Sequence, residues 1–318
     1  YLNSPLLMLS QRSIDRRTNQ NISLDVKDVP IEASYVLEVS ETIGISVKAK
    51  SKWMNALHVQ GTQFNIELLL GLSSVASIQF KNTALNKSVS KKTTKKFQEQ
   101  KTIEINELGY GFTENQTTML RGDFLHNLGY TGAGCQIAVL DAGFKGVEVF
   151  TAFSKLHDND ISNGEVIGGF DFVNRSKSFY ADTGNTHGLS VLSTIAGYID
   201  NEFIGTAPNA QFYLFVTEDA GSETPLEESL WVEAAERADS LGVDIINTSL
   251  GYTTFDNPSY NYSYADMDGE TTFISRGAEI ACSRGMVLVT SAGNSGVSSW
   301  KYISAPADAY SVLTIGAV

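Results

Sequence analysis

Short apolar runs that alternate with helical segments dominate the second half of the sequence. The clearest run, 134–143, is almost continuously apolar up to Asp141, Ala142 and Gly143. Runs of this kind are typical of parallel strands that are buried on both faces of a sheet. Further runs, separated by predicted helices, lie at about 211–216, 243–249, 286–292 and 311–316. The alternation predicts an α/β fold with a mostly parallel sheet and helices on both faces.

The composition is typical of a globular protein and argues against nucleic acid as a partner. The 318 residues are 42% hydrophobic, and no apolar run approaches the roughly 18 residues that a membrane-spanning helix needs. A net charge of −13 argues against nucleic acid, because binding to phosphates requires a basic surface. The length predicts two domains.

The two cysteines, Cys135 and Cys282, are predicted to be buried thiols rather than a disulfide. The four histidines are scattered along the chain, and no spacing of side chains is typical of a metal site. The sequence therefore predicts no metal site and no required cofactor.

A short helix with a histidine in its first turn is predicted over 184–197. Asn185 or Thr186 can cap its start and Gly197 can end it. At a helix N-terminus the dipole disfavours imidazolium, so we expect His187 to keep a ring nitrogen free to accept a proton. A core histidine that only satisfies a hydrogen bond is the alternative. The apolar stripe of this helix comprises Gly188, Val191, Leu192, Ile195 and Ala196.

Two polar residues are predicted at the carboxyl edge of the sheet, where open α/β sheets bind ligands. Asp141 ends the first strand, and Asn294 follows the strand at 286–292. Together with His187 they supply an acid, an imidazole and an amide to one region.

Four motifs follow one another along the chain: Val139-Leu140-Asp141-Ala142-Gly143, Thr186-His187-Gly188, Asn247-Thr248-Ser249-Leu250-Gly251 and Ser291-Ala292-Gly293-Asn294-Ser295-Gly296. In this order they resemble the motifs of the subtilases, the subtilisin-like serine proteases. The resemblance covers roughly residues 109–318 and implies that Asp141 orients His187, that His187 deprotonates a serine, and that Asn294 donates to the oxyanion.

The same resemblance implies the substrate-binding residues. The backbone around Leu250 would pair with an extended peptide as an added strand. Ser304 would lie near the base of the first specificity pocket, and Pro306 would follow a cis peptide bond. Calcium, which is common in subtilases, is expected only as an optional stabilising ion without identified ligands. The implied substrate-binding set is Ser249, Leu250, Gly251, Ser291, Ala292, Gly293 and Ser304.

The sequence departs from the family pattern at two places. Leu189 stands where the family usually has threonine, and the Gly-Thr-Ser nucleophile motif is absent, since Gly205-Thr206-Ala207 has no serine. The family order Asp, His, Ser implies a serine roughly sixty to seventy residues after Asn294, and thus beyond Val318. We therefore expect these residues alone to be inactive, with the apolar stripe at Val191, Leu192 and Ile195 exposed or under-packed.

Residues 1–80 are predicted to form a separate small α+β domain. A helix within 5–19 would place Arg12, Arg16 and Arg17 on its solvent face. The stretch 9–17 resembles the propeptide of subtilases from Bacteroidota, which implies an intramolecular inhibitor. An unrelated accessory domain is the alternative. Strands are predicted at 35–39, 45–49, 56–59 and 75–80.

Residues 81–108 are polar and basic, which predicts an exposed linker with a processing site. Residues 109–318 would then be the N-terminal part of the catalytic domain. Helices are predicted at 114–128, 225–241 and 272–284. The insertion 252–270 either shapes the substrate groove or is a decorative loop.

These observations predict a secreted serine endopeptidase in zymogen form, with its signal peptide removed or omitted. Its partners would be protein or peptide substrates and its own propeptide. A non-catalytic, protease-derived binding module or an inactive fragment is the alternative. A nucleotide-binding Rossmann domain is disfavoured, because no Gly-x-Gly-x-x-Gly follows Asp141.

Overall fold

The computed structural model describes residues 4–86 and 108–317. Its first part is a small α+β unit in which two antiparallel strands pair. The elements of this unit are α1 (Gln11–Asn19), α2 (Ala33–Ser40), β1 (Ser46–Ser51), β2 (Ala56–Gln60) and α3 (Gln63–Leu68).

The second part is a larger α/β unit. Its helices are α4 (Glu114–Met119), α5 (Gly122–Asn127), α6 (His187–Ala196), α7 (Pro225–Leu241) and α8 (Phe273–Ser283). Its strands are β3 (Gln136–Asp141), β4 (Glu165–Asp171), β5 (Tyr198–Ile199), β6 (Phe203–Ile204), β7 (Gln211–Val216), β8 (Ile245–Thr248), β9 (Val287–Ser291) and β10 (Leu313–Ile315).

Six of these strands form one parallel sheet in the order β10-β9-β8-β3-β7-β4. Alternate residues of β3 enter two different cores, as the period of two in a strand requires. Leu140 packs with Trp231 of α7 on one face, and Val139 packs with Leu192 of α6 on the other. The predicted α/β fold, with a mostly parallel sheet and helices on both faces, is confirmed.

The N-terminal unit follows the length of α7 from its last turn to its first. Arg17 of α1 contacts Asp239 near the helix end, and the backbone N–H of Trp53 donates to Glu236 at 3.0 Å in the next turn. Lys81 reaches Glu228 in the first turn, with its Nζ 2.6 Å from Oε2. The chain therefore runs toward the carboxyl edge of the sheet.

The prediction that the arginines of the first helix face solvent is wrong for Arg16 and Arg17, whereas the Arg12 side chain is 39% exposed. Arg16 is 7% exposed and Arg17 is 1% exposed. Arg16 donates to the backbone carbonyls of Val243 and Arg284, which lie just beyond the ends of α7 and α8. The cause is electrostatic, since cations satisfy the unpaired carbonyls at helix C-termini.

Two predicted strands in the N-terminal unit are also wrong. Residues 35–39 lie in α2, where the inward side chains are Val36 and Val39, three positions apart, whereas Tyr35 and Leu37 are exposed. This spacing fits a helical face rather than alternation. Residues 75–80 contain no strand.

The predicted helix at 114–128 is two helices. Arg121 adopts φ 59° between α4 and α5, and a left-handed residue ends a helix. Gly122 follows, and a Cβ there would lie only 3.0 Å from the side chain of Thr117.

The start of the predicted linker is partly packed, although residues 83–85 are exposed as predicted. The side chain of Lys81 is only 26% exposed, and Asn86 exchanges hydrogen bonds with the backbone of Phe80. Most of the remaining linker, 87–107, lies outside the described residues.

The expectation of an exposed stripe on α6 is wrong at Leu192, which is fully buried. Exposed apolar surface lies instead on β10, the edge strand of the sheet. Leu313 and Ile315 are each 55% exposed, although edge strands of parallel sheets are normally covered.

The prediction of two thiols is confirmed, and both Cys135 and Cys282 are partly rather than fully buried. Within residues 4–86 and 108–317, every helix is too short or too polar to cross a bilayer.

Candidate active site

Asp141 and His187 meet at the carboxyl end of β3. Nδ1 of His187 donates to Oδ1 of Asp141 at 2.7 Å. The same oxygen accepts the backbone N–H of Ala142 at 2.7 Å, and the Asp141 side chain is completely buried. A buried carboxylate at this position fixes the ring orientation and the tautomer of the histidine.

Nε2, the second ring nitrogen of His187, is on the exposed side of the residue. The residue begins α6 directly after the N-cap Thr186, whose side chain makes no capping hydrogen bond. The backbone N–H of His187 donates instead to Oδ1 of Asn185 at 2.7 Å, which satisfies one of the free N–H groups at the helix start. The His187 side chain is 48% exposed and lines a cleft. Nε2 is thus available to accept a proton from a nucleophile.

The pKa of His187 is raised above its ordinary value, chiefly by the hydrogen bond to Asp141 and less by that carboxylate's charge, against the opposing effect of burial. This direction is opposite to the one that we expected from the helix dipole alone. A direct hydrogen bond to a carboxylate outweighs the partial charge at a helix end.

Close backbone packing holds the two residues together. Leu189 donates its backbone N–H to the carbonyl of Gly143 at 3.0 Å. A Cβ on Gly188 would lie 2.7 Å from that carbonyl oxygen and 2.9 Å from Cβ of Asp141. Glycine at 188 therefore allows α6 to approach the end of β3 closely enough for the pair to form.

We expect Gly188→Ala to separate Asp141 from His187. The 2.7 Å contact is with a backbone oxygen and cannot be relieved by moving a flexible side chain. We therefore expect α6 to shift, at a cost of about 1–3 kcal/mol in the free energy of unfolding. Chemical denaturation measures that cost, and NMR of the histidine ring protons measures the loss of the hydrogen bond. Gly184→Ala is the comparison, because a Cβ there meets no atom within 4 Å, although its φ of 74° adds local strain. An unchanged ring resonance in Gly188→Ala would contradict the packing argument.

The cleft has a volume of about 520 Å³ and carries an acidic wall. Burial raises the pKa of Glu227 to about 8, even though its carboxylate accepts the backbone N–H groups of Thr224 and Asp219. Burial also raises the pKa of Glu218 well above its ordinary value, and the hydroxyl of Tyr252 donates to this carboxyl group. The acidic residues of the wall are Glu218, Asp219, Glu223, Glu227 and Asp256.

The sequence analysis missed this acidic wall. Four of its members fall within 218–227, directly after β7 at the functional edge of the sheet, and that placement is the signal that could have identified them. Asp256 belongs to the insertion 252–270, so the insertion lines the cleft.

Two of the predicted substrate-binding residues, Ser249 and Leu250, line the cleft beside His187. Ser291 ends β9 and residues 292–294 follow it at the same sheet edge, but none of them is part of the cleft lining. Asn294 is exposed.

Ser304 is buried between two backbone segments of the predicted site. A Cβ on Gly251 would lie 2.0 Å from its Oγ, and a Cβ on Gly293 would lie 2.9 Å from it. The Ala305–Pro306 peptide bond is cis, as the resemblance implied. Ser304 thus lies between the segments that follow β8 and β9.

In the part of the chain that the structure describes, no group of three or more histidine, cysteine, aspartate or glutamate side chains is arranged to hold a metal ion.

Comparison with known families divides the chain into two parts. The family model described as the subtilase family matches residues 132–318. The family model described as the peptidase S8 propeptide domain of Bacteroidota matches residues 1–100.

Curated relatives include several bacillar subtilisins. Subtilisin DY from Bacillus licheniformis is 32% identical over 204 residues, covering 63% of this chain and 62% of the relative. Subtilisin E from Bacillus subtilis is 30% identical over 205 residues, covering 63% of this chain and 45% of the relative. The chain therefore spans about half to two thirds of the length of these relatives.

Similar solved structures include the MycP1 protease with its N-terminal propeptide removed, at 20% identity and a TM-score of 0.45, covering 64% of this chain and 62% of that chain. The prenylagaramide maturation protease PagA has 21% identity and a TM-score of 0.42, covering 61% of this chain and 57% of that chain.

Proposed function

We propose, since this chain belongs to the subtilase family, that it is the zymogen of a serine endopeptidase that hydrolyses peptide bonds in protein or peptide substrates. The observation that carries the proposal is the 2.7 Å hydrogen bond between buried Asp141 and half-exposed His187. In this arrangement the carboxylate orients the ring, and the other ring nitrogen takes a proton from the attacking hydroxyl.

The proposed nucleophile is a serine outside these 318 residues, since the sequence contains no Gly-Thr-Ser. His187 removes the hydroxyl proton, the serine oxygen attacks the scissile carbonyl, and the protonated ring then donates to the leaving amine. Asn294 is the proposed side-chain donor to the oxyanion. Exposed apolar residues on β10 support a further segment of the domain that packs against this edge.

The alternative function is that of a binding module. In that case residues 108–317 would bind peptides without cleaving them. Ser249 and Leu250 line the cleft, and an extended peptide could pair with their backbone as an added strand. The Asp141–His187 hydrogen bond favours catalysis over this alternative, because simple peptide binding does not require a buried carboxylate that orients an exposed imidazole.

The zymogen part of the proposal is supported by the path of the N-terminal unit along α7. Glu236 accepts hydrogen bonds from the Ser51 hydroxyl at 2.6 Å and from the backbone N–H groups of Lys52 and Trp53. We propose that residues 1–80 inhibit the catalytic domain until the chain is cut within 81–108, that the enzyme is secreted, and that hydrolysis needs no cofactor, with calcium at most an optional stabilising ion.

Labelling the full-length gene product with a fluorophosphonate tests the proposal. We expect covalent modification of one serine beyond residue 318 in the wild type, and none in His187→Ala, because the hydroxyl then has no base. Asp182→Asn, which removes an exposed carboxylate, should be labelled like the wild type. Absence of wild-type labelling after removal of the N-terminal unit would favour the binding module.

A further inference from the structure

Lys81 occupies a pocket on the α/β unit that lies beside the cleft. Its Nζ is 2.6 Å from Oε2 of Glu228, donates to the hydroxyl of Tyr262, and lies 3.8 Å from the Tyr262 ring centroid. The ring of Phe255 is 4.5 Å away on another side. A carboxylate and two aromatic faces are the groups that recognise an ammonium ion.

The walls of the pocket are fixed by contacts among themselves. The Glu228 side chain is 1% exposed, and the Tyr262 hydroxyl donates to both of its oxygens, at 2.8 and 2.9 Å. The rings of Phe255 and Tyr262 pack edge to face with centroids 5.7 Å apart. All three side chains belong to the α/β unit, whereas the ammonium group comes from the N-terminal unit.

Two residues of the pocket are sequence neighbours of residues that line the cleft. Glu227, the residue before Glu228, lines the cleft, and so does Asp256, the residue after Phe255. A peptide that lies in the cleft and extends away from His187 along this wall therefore passes the pocket. Removal of the N-terminal unit would leave the Glu228 carboxylate without its cation, and an unpaired carboxylate in an apolar setting is costly.

We propose that Glu228, Phe255 and Tyr262 form a subsite for a lysine side chain of the peptide substrate, and that Lys81 fills this subsite until the N-terminal unit leaves. The inference rests on the proposed function. The pocket would thus bind two ammonium groups in turn, first that of Lys81 and then that of a substrate lysine.

Matched peptides test the subsite in the processed full-length enzyme. Lysine is moved one position at a time through the N-terminal side of the scissile bond, and at each position it is replaced by norleucine, which keeps the chain length but lacks the charge. At one position we expect lysine to raise kcat/KM by roughly 10-fold to 100-fold, the usual range for a hydrogen bond to a charged group.

Variants of the pocket residues test whether the lysine preference arises at this pocket. Glu228→Gln should reduce the lysine-to-norleucine ratio to about one, and Tyr262→Phe should reduce it partially, because the ring remains while the hydroxyl is lost. Glu233→Gln is the control, since Glu233 lies on the same helix but pairs with Arg175. Rates are normalised to the fraction of enzyme that a fluorophosphonate labels, so poor folding of one variant does not imitate a lost preference.

The outcomes separate the two proposals. Hydrolysis of casein without a lysine preference at any position, or with a preference that Glu228→Gln and Tyr262→Phe both retain, overturns the subsite and leaves the peptidase proposal intact. Failure to hydrolyse casein and to react with fluorophosphonate overturns both.

Discussion

Asp239→Ala is expected to lower the free energy of unfolding of the unprocessed protein by about 3–5 kcal/mol, the usual cost of removing one partner from a buried ion pair. Asp239 is completely buried, and its carboxylate pairs with both Arg16 and Arg17. Without it, Arg16 would lose its carboxylate partner, and Arg17 would keep only Asp28, which lies 2.8 Å away.

The effect is expected to reach beyond the local contact, because these arginines join α1 to α7 and α8. Arg16 donates to the carbonyls of Val243 and Arg284. Glycine at 242, the C-cap of α7, allows α1 to approach the end of that helix. A Cβ on Gly242 would lie 2.7 Å from Cβ of Arg12. Loss of Asp239 should therefore also loosen the N-terminal unit.

Guanidinium denaturation in a His187→Ala background measures the change without self-processing. Lys145→Met is the matched control, because its pair with Asp182 is more than half exposed on both sides and exposed ion pairs contribute little to stability. A loss below about 1 kcal/mol for Asp239→Ala would show that solvent already screens the cluster.

This cluster marks a limit of sequence reasoning. The helical periodicity of α1 shows on which face its charged residues lie. It does not show that α1 packs against the ends of α7 and α8, more than 200 positions away in the sequence. An arginine run on a short amphipathic helix is usually solvated, which is why the prediction failed. Likewise, Tyr35 to Val39 has β-like composition, and only the tertiary position of Val36 and Val39 decides for a helix.

The sheet and the Asp141–His187 pair were predictable for the opposite reason. Strands buried on both faces must be continuously apolar, so β3 and β7 stand out, and polar residues at their carboxyl ends converge by topology alone. Four residues of the acidic wall follow β7 at the same edge, so the same reasoning could have identified them. The Lys81 pocket depends on side chains from α7 and from the insertion, whose paths no local pattern specifies.

Asp141→Asn is expected to reduce kcat/KM of the processed full-length enzyme by about 10⁴-fold, the loss typical when the orienting carboxylate of such a triad becomes an amide. An amide can donate to Nδ1 and thereby stabilise the tautomer that has its proton on Nε2. That nitrogen then cannot accept the proton of the nucleophile, although the fold and the cleft remain intact.

The pH profile should change in a direction that a purely structural defect would not produce. The Asp141 hydrogen bond raises the pKa of His187, and catalysis needs the neutral ring, so wild-type kcat/KM rises as the pH increases through that raised pKa. Without the carboxylate the pKa falls, and the residual activity of Asp141→Asn should reach its plateau at lower pH than the wild type. Asp182→Asn, a change of the same kind at an exposed site, should keep both rate and profile. If the acidic limb of the kcat/KM profile lay at the same pH in Asp141→Asn as in the wild type, a group other than His187 would determine it. His187 would then not be the base.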